Sequence, residues 1–583
     1  MSEIALQTLA RAWAEGDVDA DAAAHVRALL KAQKWAELKE GFEGALEFGT
    51  AGLRGVLGPG PNRMNRAVVI RTTAGLARYL KTHVPDCAKR GVVVGRDGRR
   101  QSDVFAEDVA MVLAAEGITA HVFEDVVPTP VTAFALLKLN AAAAVMVTAS
   151  HNPPEYNGYK VYWGNGAQIV PPHDVGIAQS ILHVEPAAQV KRATRVEAVA
   201  AGLYVPVQAA MERAYFDAIL ALRPTRQTAD LRVVYSAMHG VGGRFVVQAM
   251  KEAGFTHVFP VAQQQQPDGL FPTVRFPNPE EPGALDLSTA LANAQKADVV
   301  LANDPDADRL AVMARDAGGA LKLLTGNEVG ILLSHFLLTQ QQWKKPLVIT
   351  TIVSTAQLKS LAAVLGAAYD ETLTGFKWIA NQALEREKDG LSFVCGFEEA
   401  LGYTVGTVAR DKDGVGAALV VADMAAWCKA NGKTLFGYLE EIQRAHGLFV
   451  ARQANFTLPG ASGAATIRAV MEAFRASPPS RIGSVGIAAT NDYEKRTRSE
   501  GKSERPLALP KSNVIAYELE GGSRITLRPS GTEPKIKFYV EWKETMAAGE
   551  PMATASARAQ DNLLKLEAAV LALAYERGLP AKA

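Results

Sequence analysis

Short apolar runs recur along the chain, each closed by a polar or glycine-containing turn, with longer amphipathic stretches between them. Residues 91–94, 120–123 and 141–147 read as strands, the last of them apolar throughout and therefore buried. The alternation resumes at 231–235, 258–260 and 298–302, and again at 346–351, 367–372 and 391–395. Strand alternating with helix predicts layered α/β units. Residues before Phe48 have helical spacing, with Val26, Leu29, Leu30, Trp35 and Leu38 as the apolar face, and are expected to pack on the first unit. Residues 206–222 read as a closing helix with Pro206 at its start. Beyond Leu448 the strands look antiparallel, at 524–527 and 536–540, and a last helix spans 561–575. The polar stretch 491–505 reads as a mobile loop and 187–201 as a surface insertion.

These patterns divide the chain into a helical extension (1–47), three related α/β domains (48–224, 225–325 and 326–447) and a C-terminal α+β domain (448–583), with a hinge expected near Leu448. A chain of 583 residues is too long for one core, which agrees with several domains. The net charge of +1 gives no electrostatic argument for nucleic acid. No apolar run is long enough to cross a bilayer, and the start lacks a basic segment followed by an apolar one. Cys87, Cys395 and Cys428 have neither metal-ligand nor disulfide spacing. A cytoplasmic protein without nucleic-acid or membrane partners, monomeric or a small homo-oligomer, is the expectation. The sequon at Asn455 is read as chance.

Four loops at strand ends carry the chemistry. Thr148-Ala149-Ser150-His151-Asn152-Pro153 follows the run ending at Val147, and in open α/β sheets ligands bind outside the carboxyl ends of the strands. Asn303-Asp304-Pro305-Asp306-Ala307-Asp308-Arg309 places three carboxylates at alternate positions of a tight loop, the oxygen ligands that a hard cation such as Mg²⁺ takes. Arg309 is a permanently charged partner for phosphate. Arg528-Pro529-Ser530-Gly531-Thr532-Glu533-Pro534-Lys535 combines a tight turn with hydroxyls and cations, an anion cradle. Gly396-Phe397-Glu398-Glu399-Ala400-Leu401-Gly402-Tyr403 sets two acids at a strand end, suited either to sugar hydroxyls or to a solvated face.

In kind and order the four loops resemble those of the α-D-phosphohexomutase superfamily, the phosphoglucomutases and phosphomannomutases, over residues 48–541. Three further segments, together with Gly396 to Tyr403, are similar to the branch containing phosphoglucomutase-2, a phosphopentomutase, and glucose-1,6-bisphosphate synthase. They are Glu47-Phe48-Gly49-Thr50-Ala51-Gly52-Leu53-Arg54, Thr372-Leu373-Thr374-Gly375-Phe376-Lys377-Trp378 and Asp411-Lys412-Asp413-Gly414-Val415. The resemblance implies a four-domain, heart-shaped fold and an intramolecular phosphotransferase. Such an enzyme interconverts a hexose 1-phosphate and 6-phosphate, or a pentose 1-phosphate and 5-phosphate, through a phosphoserine and a bisphosphorylated sugar. It implies phosphorylation of Ser150, Mg²⁺ on Ser150, Asp304, Asp306 and Asp308, and glucose 1,6-bisphosphate or a cognate bisphosphate as activator. Phosphate would meet Arg54 and Arg309. Lys160 and His151 are the candidates for proton transfer, although His151 could equally orient the loop. Thr374, Glu398 and Lys412 would bind the sugar phosphate, and Arg528, Ser530, Gly531 and Thr532 the remote phosphate. An exposed charge at a helix start is the other reading of Lys412.

One departure stands out: many phosphoglucomutases have serine where this chain has Ala400, which suggests a pentose. Glucose-1,6-bisphosphate synthase and phosphomannomutase are the nearest alternatives. A haloacid-dehalogenase-type phosphatase would leave the serine loop unexplained, and a sugar-phosphate sensor would need no nucleophile. Gly432-Lys433-Thr434 lacks the earlier glycine of a P-loop and reads as a helix start.

Overall fold

The structure is a computed structural model that describes residues 1–50, 52–458, 460–530 and 534–581. In the first sheet, β1 (Leu53–Val56), β2 (Val92–Arg96), β3 (Ala120–Val122), β4 (Ala143–Val147), β5 (Tyr156–Trp163) and β6 (Tyr204–Pro206) take the order β1-β5-β4-β2-β3-β6. Strands β4, β2, β3 and β6 run parallel, β5 pairs antiparallel with β4, and β1 pairs antiparallel with β5. All five residues of β4 are buried, as expected of a strand covered on both faces. Val92, Val94, Val145 and Val147 pack with Phe105 and Val109 of helix Ser102–Ala115 and with Val69 and Leu76 of helix Arg66–His83.

The second sheet has β7 (Arg232–Ser236), β8 (His257–Pro260), β9 (Val299–Ala302), β10 (Ala311–Arg315) and β11 (Leu321–Leu324) in the order β11-β10-β9-β7-β8. The third contains β12 (Pro346–Thr351) parallel to both β13 (Ala368–Thr372) and β14 (Ser392–Glu398). Strand β15 (Gly402–Val405) and helix Gly414–Ala430 follow. The last sheet is antiparallel, with β16 (Leu448–Thr457), β17 (Arg481–Ile482), β18 (Val485–Asp492), β19 (Thr497–Glu500), β20 (Ser503–Pro506), β21 (Ile515–Leu519), β22 (Arg524–Pro529) and β23 (Lys535–Glu544). Its order is β16-β23-β22-β21-β18-β19-β20, with β17 beside β18. Leu563, Leu566 and Val570 of the final helix Met552–Glu576 pack on Ile525, Leu527 and Phe538 of this sheet. The expected class, three α/β sheets and a C-terminal α+β region, is the one found.

The described residues form two compact bodies. Met1–Thr325 with Leu401–Thr434 make one, and Gly326–Ala400 with Leu435–Ala583 the other. No helix is long and apolar enough, among the described residues, to cross a membrane. The extension comprises helices Glu3–Gly16, Ala20–Lys31 and Trp35–Phe42, the first two capped by Ser2 and Asp19. Helices of 14, 12 and 8 residues are marginal alone. Leu6, Val26, Leu38 and Phe42 close a small core between them, each burial contributing about 1.5–3 kcal/mol. Trp13 also packs against the cluster containing Ala67, Ile70 and Val112, which seats the extension on the first sheet's helices.

Two local expectations need correcting. Pro206 ends β6 instead of starting a helix, which runs over Ala209–Leu220. β6 is an edge strand, where a proline's missing N–H breaks no ladder. Residues 491–505 are not a loop. They include the end of β18 and a hairpin of β19 and β20 that pairs Arg498 with Arg505 and Ser499 with Glu504. Residues 187–201 lie largely exposed at the surface and are anchored there: Ala187 and Val190 lie in the cluster with Trp13, and helix Arg195–Ala200 carries a complete capping box from Thr194 and Glu197.

Candidate active site

Strands β4 and β9 are parallel members of their sheets, and the loops leaving their carboxyl ends meet in the first body. After Val147, the Thr148 hydroxyl accepts from the Ser150 N–H at 2.9 Å, and Ser150 takes a left-handed φ of 51°. Its Oγ donates to Asp304 Oδ2 over 2.8 Å, and His151 Nδ1 lies 3.3 Å from the Ser150 Oγ. After Ala302, Asn303 ties the second loop: its amide donates to Arg309 O at 2.6 Å and its carbonyl accepts from Tyr235 at 2.8 Å. The backbone N–H of Arg309 reaches Asp304 Oδ1 at 3.0 Å.

Asp304, Asp306 and Asp308 are buried and converge, each offering one oxygen within 4.8 Å of the others. Lys160, on β5, donates to Asp306 Oδ2 at 2.6 Å and to Asp308 Oδ2 at 2.8 Å. Lys412 Nζ lies 3.3 Å from both Asp308 Oδ2 and Asp411 Oδ1. Lys412 is therefore part of the cluster and not an exposed helix-start charge; the following helix begins at Gly414 with Asp413 as its cap. Position 414 has no room for a side chain, because a Cβ would stand 2.4 Å from Arg309 O and 2.6 Å from Asn303 Nδ2. Arg54, exposed on β1, donates to Asn152 Oδ1 at 3.0 Å. The turn before it requires glycine: Gly52 has φ of 75°, and a Cβ there would fall 1.8 Å from Tyr159 O.

The electrostatics follow from burying so many charges together. Burial, then Asp306 and Asp308, hold the Asp304 carboxyl well above its ordinary range. Burial would do the same to Asp308, but Lys160, Lys412 and Arg309 outweigh it and hold that carboxyl down. Burial disfavours the Lys160 ammonium, yet Asp306 and Asp308 more than compensate, so Lys160 stays charged. His151 is driven well below its ordinary value by burial and then by Arg309 and Arg54, and is neutral. A divalent cation fits this donor set. Three buried carboxylates converge, and Asp306 Oδ1 and Asp308 Oδ1 have no hydrogen-bond partner among the described residues.

The remaining candidates lie in the second body. Glu398, at the end of β14, accepts from the Gly375 N–H at 2.7 Å, and the Thr374 hydroxyl is buried without a partner among the described residues. Glu399, beside it, accepts from Ser354 at 2.9 Å. Arg528 donates to Tyr539 Oη at 3.4 Å, and the Ser530 N–H to Lys535 O at 2.7 Å. Gly531 and Thr532 lie outside the described residues.

Sequence reasoning missed several neighbours. Thr129, the first residue of helix Thr129–Lys138, hydrogen-bonds Asp306 Oδ2 at 2.7 Å. Asp411 receives Tyr162 Oη at 2.6 Å and Gln168 Nε2 at 2.7 Å. None of these contacts has a local signature, since each joins segments far apart in the chain.

Family models match successive segments of the chain: phosphoglucomutase/phosphomannomutase α/β/α domain I over residues 45–188, domain II over 213–319, domain III over 325–445 and the C-terminal domain over 464–555. A protein of Schizosaccharomyces pombe named a probable phosphoribomutase is 39% identical over 559 residues, 92% of this chain and 93% of its own. The Homo sapiens glucose 1,6-bisphosphate synthase is 36% identical over 92% of this chain and 90% of its own. The crystal structure of pp63/parafusin, a phosphoglucomutase from Paramecium, in its open form, superposes with a TM-score of 0.65 at 20% identity, covering 92% of this chain and 96% of that one. The serine loop, the aspartate loop, and these matches along the chain lead to one conclusion: the protein belongs to the phosphoglucomutase/phosphomannomutase family of the α-D-phosphohexomutase superfamily.

Proposed function

We propose that this protein is a phosphosugar mutase that moves a phosphoryl group between the anomeric and terminal hydroxyls of a sugar, with pentose phosphate as its preferred substrate. The observation that carries the reading is the 2.8 Å hydrogen bond from Ser150 Oγ to Asp304 inside a cluster of three buried aspartates. A nucleophile set against convergent carboxylates suits phosphoryl transfer, where positioning and charge stabilisation supply most of the catalysis.

Ser150 carries the phosphoryl group. The free hydroxyl of the bound sugar phosphate attacks phosphorus, the bond to Ser150 Oγ breaks, and the hydroxyl proton passes to a base. His151, a neutral imidazole with Nδ1 3.3 Å from that Oγ, is placed to exchange the proton, and Lys160 contributes a fixed positive charge. The bisphosphorylated sugar then turns and returns its other phosphate to Ser150 Oγ, so glucose 1,6-bisphosphate or its pentose counterpart primes the enzyme. Arg54 and Arg309 flank the transferring group. Asp304, Asp306 and Asp308, with the phosphate on Ser150, would hold Mg²⁺, which when bound neutralises charge on the transferring phosphate. In the second body, Thr374 and Glu398 bind sugar hydroxyls, and Arg528, Ser530, Gly531 and Thr532 the distal phosphate. Cytoplasmic sugar-phosphate metabolism is the setting.

The test is turnover with Mg²⁺ of ribose 1-phosphate, glucose 1-phosphate and mannose 1-phosphate, each with and without catalytic glucose 1,6-bisphosphate. Conversion of ribose 1-phosphate in preference supports the reading, with phosphate found on Ser150 and activity absent in Ser150→Ala. The relationship to glucose 1,6-bisphosphate synthase favours a second reading. Bisphosphate formed from glucose 1-phosphate only when a glycolytic bisphosphate donor is supplied, without mutase turnover, would select it.

A further inference from the structure

The Ser150 loop is held from beneath by one side chain outside the reaction scheme. Arg99 sits after β2 with a fully buried side chain. Its Nη2 donates to Ser150 O at 2.6 Å and to Asn152 O at 2.5 Å, and its Nη1 to Pro153 O at 2.8 Å and Tyr156 O at 3.2 Å. One guanidinium thus satisfies four carbonyls of a single loop, which a planar fork of donors can do and a lysine cannot. Arg99 is itself fixed. Its Nε lies 3.4 Å from Asp97 Oδ2, its guanidinium packs over the Phe271 ring at 4.9 Å, and its N–H donates to Asp97 Oδ1 at 3.0 Å. Ser102 holds the same Asp97 oxygen at 2.8 Å.

The loop needs such a clamp. Ser150 has φ of 51°, a conformation disfavoured for a residue with a Cβ, and it persists only where the surroundings impose it. That conformation aims Oγ at Asp304. We propose that Arg99 is a positioning residue for phosphoryl transfer: by binding the carbonyls of Ser150, Asn152, Pro153 and Tyr156 it imposes the left-handed turn that presents the Ser150 hydroxyl to the aspartates. The bonds of the Arg99 side chain go to backbone carbonyls and to Asp97, not to the Ser150 hydroxyl. The inference rests on the mutase reading for its catalytic consequence, but the clamp can be read without it.

The experiment compares the full-length protein with Arg99→Ala and Arg99→Lys by amide hydrogen exchange and steady-state kinetics. Exchange in residues 148–155 should accelerate in both variants while the strands on either side keep their protection. kcat should fall about 100-fold in Arg99→Ala, the cost of a misplacement near 1 Å, with KM changed by less than about threefold. Methylguanidinium in solution should restore part of the kcat of Arg99→Ala and none of that of Arg99→Lys, whose side chain fills the space. If Arg99→Ala does not fold, Arg99→Lys carries the exchange and kinetic comparisons. A folded variant with wild-type exchange in this loop, or with its whole loss in KM, overturns the proposal. Absence of turnover by the wild type on every sugar phosphate would instead refute the mutase reading, and the exchange data would still decide the clamp.

Discussion

Thr129 grips Asp306 twice: its N–H donates to the Asp306 carbonyl at 2.9 Å and its hydroxyl to Oδ2 at 2.7 Å. The pair joins a helix start in the first sheet's domain to the aspartate loop of the next. Of the two bonds only the hydroxyl's orients the carboxylate. Thr129→Val keeps the shape and the backbone bond while removing that orientation. We expect a tenfold to 100-fold weaker Mg²⁺ requirement constant, roughly the loss typical of a supporting partner of a metal ligand. Activity titrated against Mg²⁺ measures it; an unchanged midpoint would show that Asp306 needs no such support.

Gly414 is a packing constraint on the same loop. A methyl group there would press on Arg309 O at 2.4 Å, which neither the loop nor the helix start can yield without moving. Gly414→Ala should cost about 1–3 kcal/mol of stability by overpacking and lower activity by shifting Asp308 and Arg309. Thermal unfolding alongside kinetics checks both; wild-type values in each would mean the loop adjusts freely.

Acid sensitivity should arise away from the active site, at His335. Its Nδ1 is 2.6 Å from Tyr438 Oη, and burial, then the nearby His446, push its pKa down to about 4. Between the ordinary value near 6.5 and about 4, the unfolded chain binds a proton that the folded chain refuses. Stability from this residue is therefore whole above about 6.5 and declines as the pH falls through that window. His335→Gln should show a smaller drop in apparent melting temperature between pH 7.5 and pH 4.5 than the wild type does. Parallel curves for the two proteins would refute the assignment.

Sugar preference can be tested at Ala400, beside Glu399 in the second body. A serine there adds a hydroxyl able to meet one more sugar group. Ala400→Ser should move the ratio of kcat/KM for glucose 1-phosphate over ribose 1-phosphate upward by about two- to tenfold, the range of one hydrogen bond of about 0.5–1.5 kcal/mol. A constant ratio would remove position 400 from the account of specificity.

The loops that matter were legible because β4 and β9 are buried on both faces and so appear as unbroken apolar runs, with the chemistry at their carboxyl ends. The three aspartates could be read as convergent from their spacing alone. Their environment could not. Thr129 and Asp411 reach the cluster only through the tertiary fold, and Arg99 acts on backbone carbonyls, which leave no mark on side-chain patterns. The β19–β20 hairpin was misread because its residues are polar on both faces. It is held by pairs such as Arg498 with Glu518 across the sheet, an arrangement with no hydrophobic alternation to detect. Pro206 was misread because a proline suits a helix start and an edge strand equally, and only the sheet order decides between them.

The distribution of charge around Ser150 has a thermodynamic consequence. Asp304, Asp306, Asp308 and Asp411 are set among Lys160, Lys412 and Arg309, so opposite charges are interleaved in one buried place. A divalent ion arriving alone would add two positive charges there, and a phosphoryl dianion arriving alone would add two negative ones. Together they cancel. On the mutase reading, occupancy by the ion and esterification of the serine would then favour one another by the same factor, so phosphorylating Ser150 would raise the affinity for the cation.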